Sequence, residues 1–95
     1  MEQQNQEMGK TVESWPSLDV FDRRILGVLI EKAKTTPEYY PLTLNALVTG
    51  SNQKSNRDPI MNLDEFQVEN AIKSCIQKGI VSLVKGGRVD RWQHH

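Results

Sequence analysis

Three groups of residues carry side chains equipped for chemistry, and all three suit contact with anions or base edges. The first is the stretch SNQKSNRDP, residues 51–59: eight polar residues and a proline between apolar segments. Lys54 and Arg57 bring positive charge, and Ser55 and Asn56 bring hydrogen-bond donors. That set suits a phosphate where a helix-turn-helix meets the DNA backbone. The second group is Asn70, Lys73, Ser74 and Gln77, spaced to share one face of a helix. Asn and Gln pair bidentately with adenine, and Lys reaches guanine. The third group is Lys85 and Arg88 about Gly86-Gly87, followed by Arg91. A two-residue glycine turn sets Lys85 opposite Arg88, Val84 opposite Val89 and Val81 opposite Trp92. Like charges so placed repel, and an anion between them would relieve the repulsion. If about four of these cations touch phosphate, log affinity falls with log salt at a slope near about −3.6.

Each group also has a plainer reading. Asn52, Asn56 and Asp58 build turns by bonding nearby backbone, and Arg57 can pair with Asp58 or with a first-helix carboxylate. The helical polar set is equally an ordinary solvated face, and the two turn cations can splay into water. Asp64, Glu65 and Glu69 lie at the helix end that would enter a groove, where carboxylates repel phosphate, although acids also favour a helix N-terminus. Phe66 points outward beside them. Glu65, Phe66 and Glu69 therefore define an alternative, a protein interface or homodimer contact without nucleic acid.

Bond-making chemistry finds little support. The single cysteine, Cys75, falls at a core position of a helix, with no Cys–His arrangement to make it a nucleophile. The two histidines, His94 and His95, are adjacent, and one cysteine beside them makes no structural zinc set. There is no G-x-S-x-G, no glycine-rich phosphate loop and no metal-ligand cluster. No enzymatic activity, cofactor or metal is expected.

These residues depend on the elements that carry them. Ninety-five residues with twelve basic and twelve acidic side chains make one small domain without a global field. The charge is unevenly spread: residues 1–16 hold three glutamates against Lys10, and residues 70–95 hold five cations against Asp90. Residues 1–16, polar and poor in aliphatics, read as a disordered tail, leaving 17–95 as the folded domain. Ser17 or Asp19 caps a first helix whose apolar stripe runs through Leu18, Phe21, Ile25, Val28 and Leu29, widened by Leu26, Ile30 and Ala33. So wide a stripe predicts a central helix. Tyr40-Pro41-Leu42 reads as a short edge strand, and Thr43 caps a second helix, 44–48, ending near Gly50. Asp64-Glu65-Phe66-Gln67 is a capping box, with Leu63 and Val68 as its hydrophobic staple. It opens a third helix, 64–78, that buries Val68, Ala71, Ile72, Cys75 and Ile76 and stops at Gly79. The stretches 80–84 and 89–93 flank the glycine pair as a hairpin. The expected class is mainly α with a small β-hairpin (α+β): a winged helix-turn-helix of three helices and a two-stranded wing, with helix 64–78 and wing 80–93 as the working parts.

No apolar run is long enough to span a bilayer, and MEQQNQEMGK lacks the basic start and apolar core of a signal peptide. A cytoplasmic setting without membrane contact is the expectation. The pieces LGVLIEK, TTPEYYPLTLNAL and NQKSNRDP, within a likeness running from about Leu18 to His95, resemble the first domain of the YceH-like family of bacterial proteins. The resemblance implies a winged-helix domain followed by a second one, which this sequence does not include. It brings no established reaction, cofactor or ligand. Phe66 departs from the small residue expected at its position.

Overall fold

The computed structural model describes residues 17–95; the tail expected over 1–16 lies outside the described residues. Helix α1, Val20–Thr35, starts where Asp19 accepts the Asp22 backbone N–H (2.8 Å) and Asp22 reciprocates on the Asp19 N–H (3.1 Å). These two reciprocal hydrogen bonds satisfy two donors left open by helix geometry. A 3-10 turn, Pro37–Tyr39, leads to strand β1, Leu42–Thr43. Thr43 caps helix α2, Leu44–Ser51, by accepting the Ala46 N–H at 3.2 Å. Helix α3, Glu65–Gln77, opens on the expected Asp64–Gln67 box (2.8 and 2.9 Å). It ends ahead of Gly79 at φ +76°, a left-handed conformation that glycine adopts without Cβ strain.

Strands β2, Val81–Val84, and β3, Arg91–His94, follow. β2 and β3 pair antiparallel as the expected two-stranded wing, and the expected edge strand is added to it. β1 joins β3 to make a three-stranded antiparallel sheet in the order β1-β3-β2. The register differs. Val84 pairs with Arg91 and Leu83 with Trp92, so Gly86-Gly87 sits inside a six-residue loop, 85–90, rather than forming a two-residue turn. The opposition of Lys85 and Arg88 is thereby lost, and Lys85 instead lies 3.5 Å from the Asp90 carboxylate. The cause is at the far end of the ribbon. Arg91 donates to the Pro41 carbonyl (3.1 Å), the His94 N–H to the Tyr40 hydroxyl (2.7 Å), and the His95 N–H to the Ile80 carbonyl (3.0 Å). Thr43 and Leu42 then hold Arg91 and Trp92 in place. These long-range anchors outweigh the local glycine signal.

The core joins Ile25, Val28 and Leu29 of α1 to Leu42, Leu47, Leu63 and Val81, and to Val68, Ala71, Ile72 and Cys75 of α3. Trp92 packs against it from the sheet. α1 touches both other helices and β3, as expected for the central helix. Its buried stripe is narrower than expected: Phe21 and Ile30 are exposed, as is Ile76 on α3. Two charged side chains of α1, Asp22 and Arg24, are buried.

Candidate nucleic-acid interface

The polar corner after α2 is built mainly as structure. Asn52 accepts the Leu63 N–H (2.7 Å) and donates to the Leu63 carbonyl (2.8 Å), acting as a side-chain strand that ties the end of α2 to the entry of α3. Asn56 takes a left-handed φ of 58°, which Asn tolerates better than most residues. Arg57 faces inward: its side chain is 5% exposed, Nε donates to the Gly50 carbonyl (2.9 Å), and Nη1 donates to Glu31 of α1 (2.7 Å). The Arg57 hydrogen bond, against an opposing burial effect, holds the Glu31 carboxyl below its usual range. The alternative pairing with a first-helix carboxylate is thus the one realised, and Arg57 is not displayed for a DNA backbone. Lys54 is exposed with no hydrogen bond or ion pair among the described residues. Ser55 is exposed, its carbonyl accepting from the Gln53 amide at 2.9 Å.

On α3 the outer residues Phe66, Asn70, Lys73 and Gln77 are all exposed, with Glu65 and Glu69 beside them. Phe66 is 70% exposed, the largest value among the exposed large apolar residues. Ser74 departs from this face. It lines a groove of about 240 Å³ against the start of α1, together with Phe21, Gln67 and Asn70, and its hydroxyl helps lower the pKa of Asp22. In the wing, Lys85 and Arg88 are exposed at the loop, Lys85 sharing its charge with Asp90. Arg91 is half-buried on β3 and engaged with Pro41. The structure therefore gathers Asn70, Lys73 and Gln77 on one free face, keeps Lys54, Lys85 and Arg88 available, and withdraws Arg57, Ser74 and in part Arg91.

Two charged groups escape the sequence reading. Asp22 is fully buried and forms a close ion pair with Lys78 at the end of α3. Burial pushes its carboxyl upward, but the hydrogen bonds from Lys78 and the Asp19 N–H, with the nearby Ser74 hydroxyl, outweigh that and leave it below the usual range. Cys75 lies 3.8 Å from the same carboxylate, and burial foremost, then the Asp22 charge, drives its thiol up to about 12. A thiol so protonated is a core residue and a poor nucleophile. Arg24 is buried beneath the polar corner, donating to the carbonyls of Ser51 (2.6 Å) and Pro59. Its only trace in the sequence is the Arg23-Arg24 doublet at the start of a helix, which reads as a solvated face.

Residues 18–95 match the model of a family described as protein of unknown function, DUF480. A UPF0502 protein of Pseudomonas aeruginosa is 56% identical over 77 residues, covering 81% of this chain and 35% of its own length. A UPF0502 protein of Pseudomonas syringae pv. syringae is 58% identical over 71 residues, covering 75% of this chain and 32% of its own. One of Pseudomonas fluorescens is 52% identical over 79 residues, with 83% and 37% covered. The chain thus spans about a third of the length of the curated relatives it matches.

Proposed function

This chain belongs to the DUF480 family, in agreement with its YceH-like resemblance, and from its winged-helix architecture we propose that it is a duplex-DNA-binding module. The observation that carries this is the free outer face of α3. Asn70, Lys73 and Gln77 project from a helix whose other side is fully used by the core. In a winged helix that is the helix placed to enter a major groove, and those side chains match the donors and acceptors of base edges. Lys54, Lys85 and Arg88 serve as phosphate contacts. The exposed Lys85–Asp90 pair opens at small cost, because solvated ion pairs contribute little. A role in binding rather than catalysis is part of the same reading.

With Arg57 held inside, the phosphate contacts drop from about four to about three, so the expected log–log salt slope is about −2.7. Fluorescence anisotropy with a mixed-sequence duplex across a salt series measures it. Lys73→Ala should weaken binding in a sequence-dependent way, and Arg88→Ala should weaken it uniformly while flattening the slope by about 0.9. No binding at low salt, or binding indifferent to salt, removes the reading.

The exposure of Phe66 beside Glu65 and Glu69 favours a second reading, a protein-binding or dimer face on the N-terminal half of α3. An aromatic at the centre of an interface contributes heavily to affinity. Concentration-dependent association in light scattering, abolished by Phe66→Glu, would select this reading over DNA.

A further inference from the structure

A polar cleft of about 240 Å³ lies between α1 and the corner, lined by Arg23, Arg24, Glu31, Asn56, Arg57 and Asp58 among others. No residue of α3 borders it, so it is separate from the face proposed to read DNA. Its charges do not balance: three guanidinium groups face two carboxylates. Arg24 is buried and bonded only to neutral carbonyls, with no carboxylate within ion-pairing distance among the described residues. Arg57 spends Nε and Nη1 on Gly50, Glu31 and Asn56, but its Nη2 is buried with no acceptor among the described residues. Unmatched donors on buried cations are costly and uncommon in folded proteins. Burial foremost, and then the nearby Arg57 charge, lower the pKa of Arg24 against the opposing charge of Asp58.

We propose that this cleft is a binding site for a small free oxyanion of the phosphate class, held between the guanidinium groups of Arg24 and Arg57. With both terminal nitrogens of Arg24 and the Nε and Nη1 of Arg57 already bonded, the donor left for a phosphate oxygen is Arg57 Nη2, and the two guanidinium charges together attract the anion. Glu31 stays on Arg57 and orients it. Asp58, exposed and without a side-chain hydrogen bond among the described residues, is the one lining carboxylate not tied to an arginine, and it opposes the anion. A small anion is favoured over a nucleic-acid backbone because the cleft lies on the α1 side of the corner, away from α3.

The test is a titration of the whole chain with inorganic phosphate at constant ionic strength, chloride as reference, followed by amide and arginine side-chain NMR. Saturable 1:1 binding is expected, with shifts concentrated at 23–31 and 56–58 and at the Arg24 and Arg57 side chains. Arg57→Lys, which keeps the charge and loses Nη2, should weaken binding at least tenfold. Because changes at buried arginines can unfold the domain, Asp58→Asn is the deciding variant, expected to tighten phosphate several-fold with the fold intact. Non-saturable shifts, shifts centred on Lys54 or Arg88, or no tightening in Asp58→Asn would overturn the proposal. So would displacement of bound phosphate by duplex DNA, since the site would then belong to a nucleic-acid backbone.

Discussion

Asp22 shows how one side chain serves two elements at once. It completes the capping box of α1 and also holds Lys78 at the end of α3, so the start of one helix is fastened to the end of another. None of the second role was legible in the sequence. An aspartate three residues after a helix cap is an ordinary surface residue by local rules, and its partner lies 56 positions away. The capping half was equally local and was read only for α3. Asp22→Asn keeps an acceptor for the Asp19 N–H and removes the charge, so the expected loss is about 2 kcal/mol, the scale of a hydrogen bond to a charged group. The larger cost of about 3–5 kcal/mol for breaking a deeply buried pair does not apply in full, because Lys78 is 28% exposed and can withdraw into water. Lys78→Met leaves the buried carboxylate without its cation and is expected to be the more damaging change. The pH dependence follows from the lowered carboxyl of Asp22. Its contribution is present above the unfolded-state pKa and is lost as pH falls through the lower folded-state value. Urea denaturation at pH 7 and across the acid range should show that fall in the parent chain and a shallower one in Asp22→Asn.

At the scale of elements, helix starts were the most legible feature, because a cap is written within four residues: Thr43, Asp19 and the Asp64–Gln67 box all act as such. Helix ends and the hairpin were less so, because glycine has several uses. Gly79 does end α3 at positive φ, yet Gly86-Gly87 makes no tight turn. Gly50, read as a terminator, lies within α2 where the helix passes close over α1. A Cβ there would stand 2.7 Å from Val28 Cγ1, and Val28 is buried. Replacing a mid-helix glycine with alanine normally gains about 0.8–1.0 kcal/mol, whereas forcing a methyl into a packed site costs about 1–3 kcal/mol. The second effect wins at Gly50, so Gly50→Ala is expected to destabilise by about 1 kcal/mol. Gly27 is the control. It is exposed in the middle of α1 with nothing within 4 Å of an added Cβ, and Gly27→Ala should stabilise by about 0.8–1.0 kcal/mol. Thermal melts of the two variants should therefore move in opposite directions. A shift of the same sign in both would show that propensity, not the α1–α2 approach, governs Gly50.

For the whole molecule, the consequential feature is that the last strand in sequence is the middle strand in space. β3 bonds to β1 on one side and β2 on the other, and no local pattern announces that, since β1 is only two residues long and its pairing spans about half the chain. The order of helices and ribbon and a short edge strand near Leu42 were legible from spacing, prolines and caps; that strand's pairing with β3 and the true register were not, because both are set by contacts among Tyr40, Pro41 and the 91–95 segment. That arrangement makes the domain depend on its final residues. Removing 91–95 takes away every pairing of β1 and β2 and uncovers Leu42 and Val81, both buried, along with the packing of Trp92. Exposing buried side chains of this size costs about 1.5–3 kcal/mol each, so the loss is about 5–8 kcal/mol, against about 4–12 kcal/mol for a whole domain of this length. The chain ending at residue 90 is expected to lose its cooperative thermal transition and its dispersed amide spectrum, although α1 and α3 keep their caps. Tyr40→Phe is the graded companion: it removes the hydroxyl that accepts from the His94 N–H and is hydrogen-bonded to His94 Nδ1, costing about 1–3 kcal/mol while the transition stays cooperative. A shortened chain that still melts cooperatively near the parent temperature would mean that the three helices fold without the sheet, and that the wing is an appendage rather than a wall of the core.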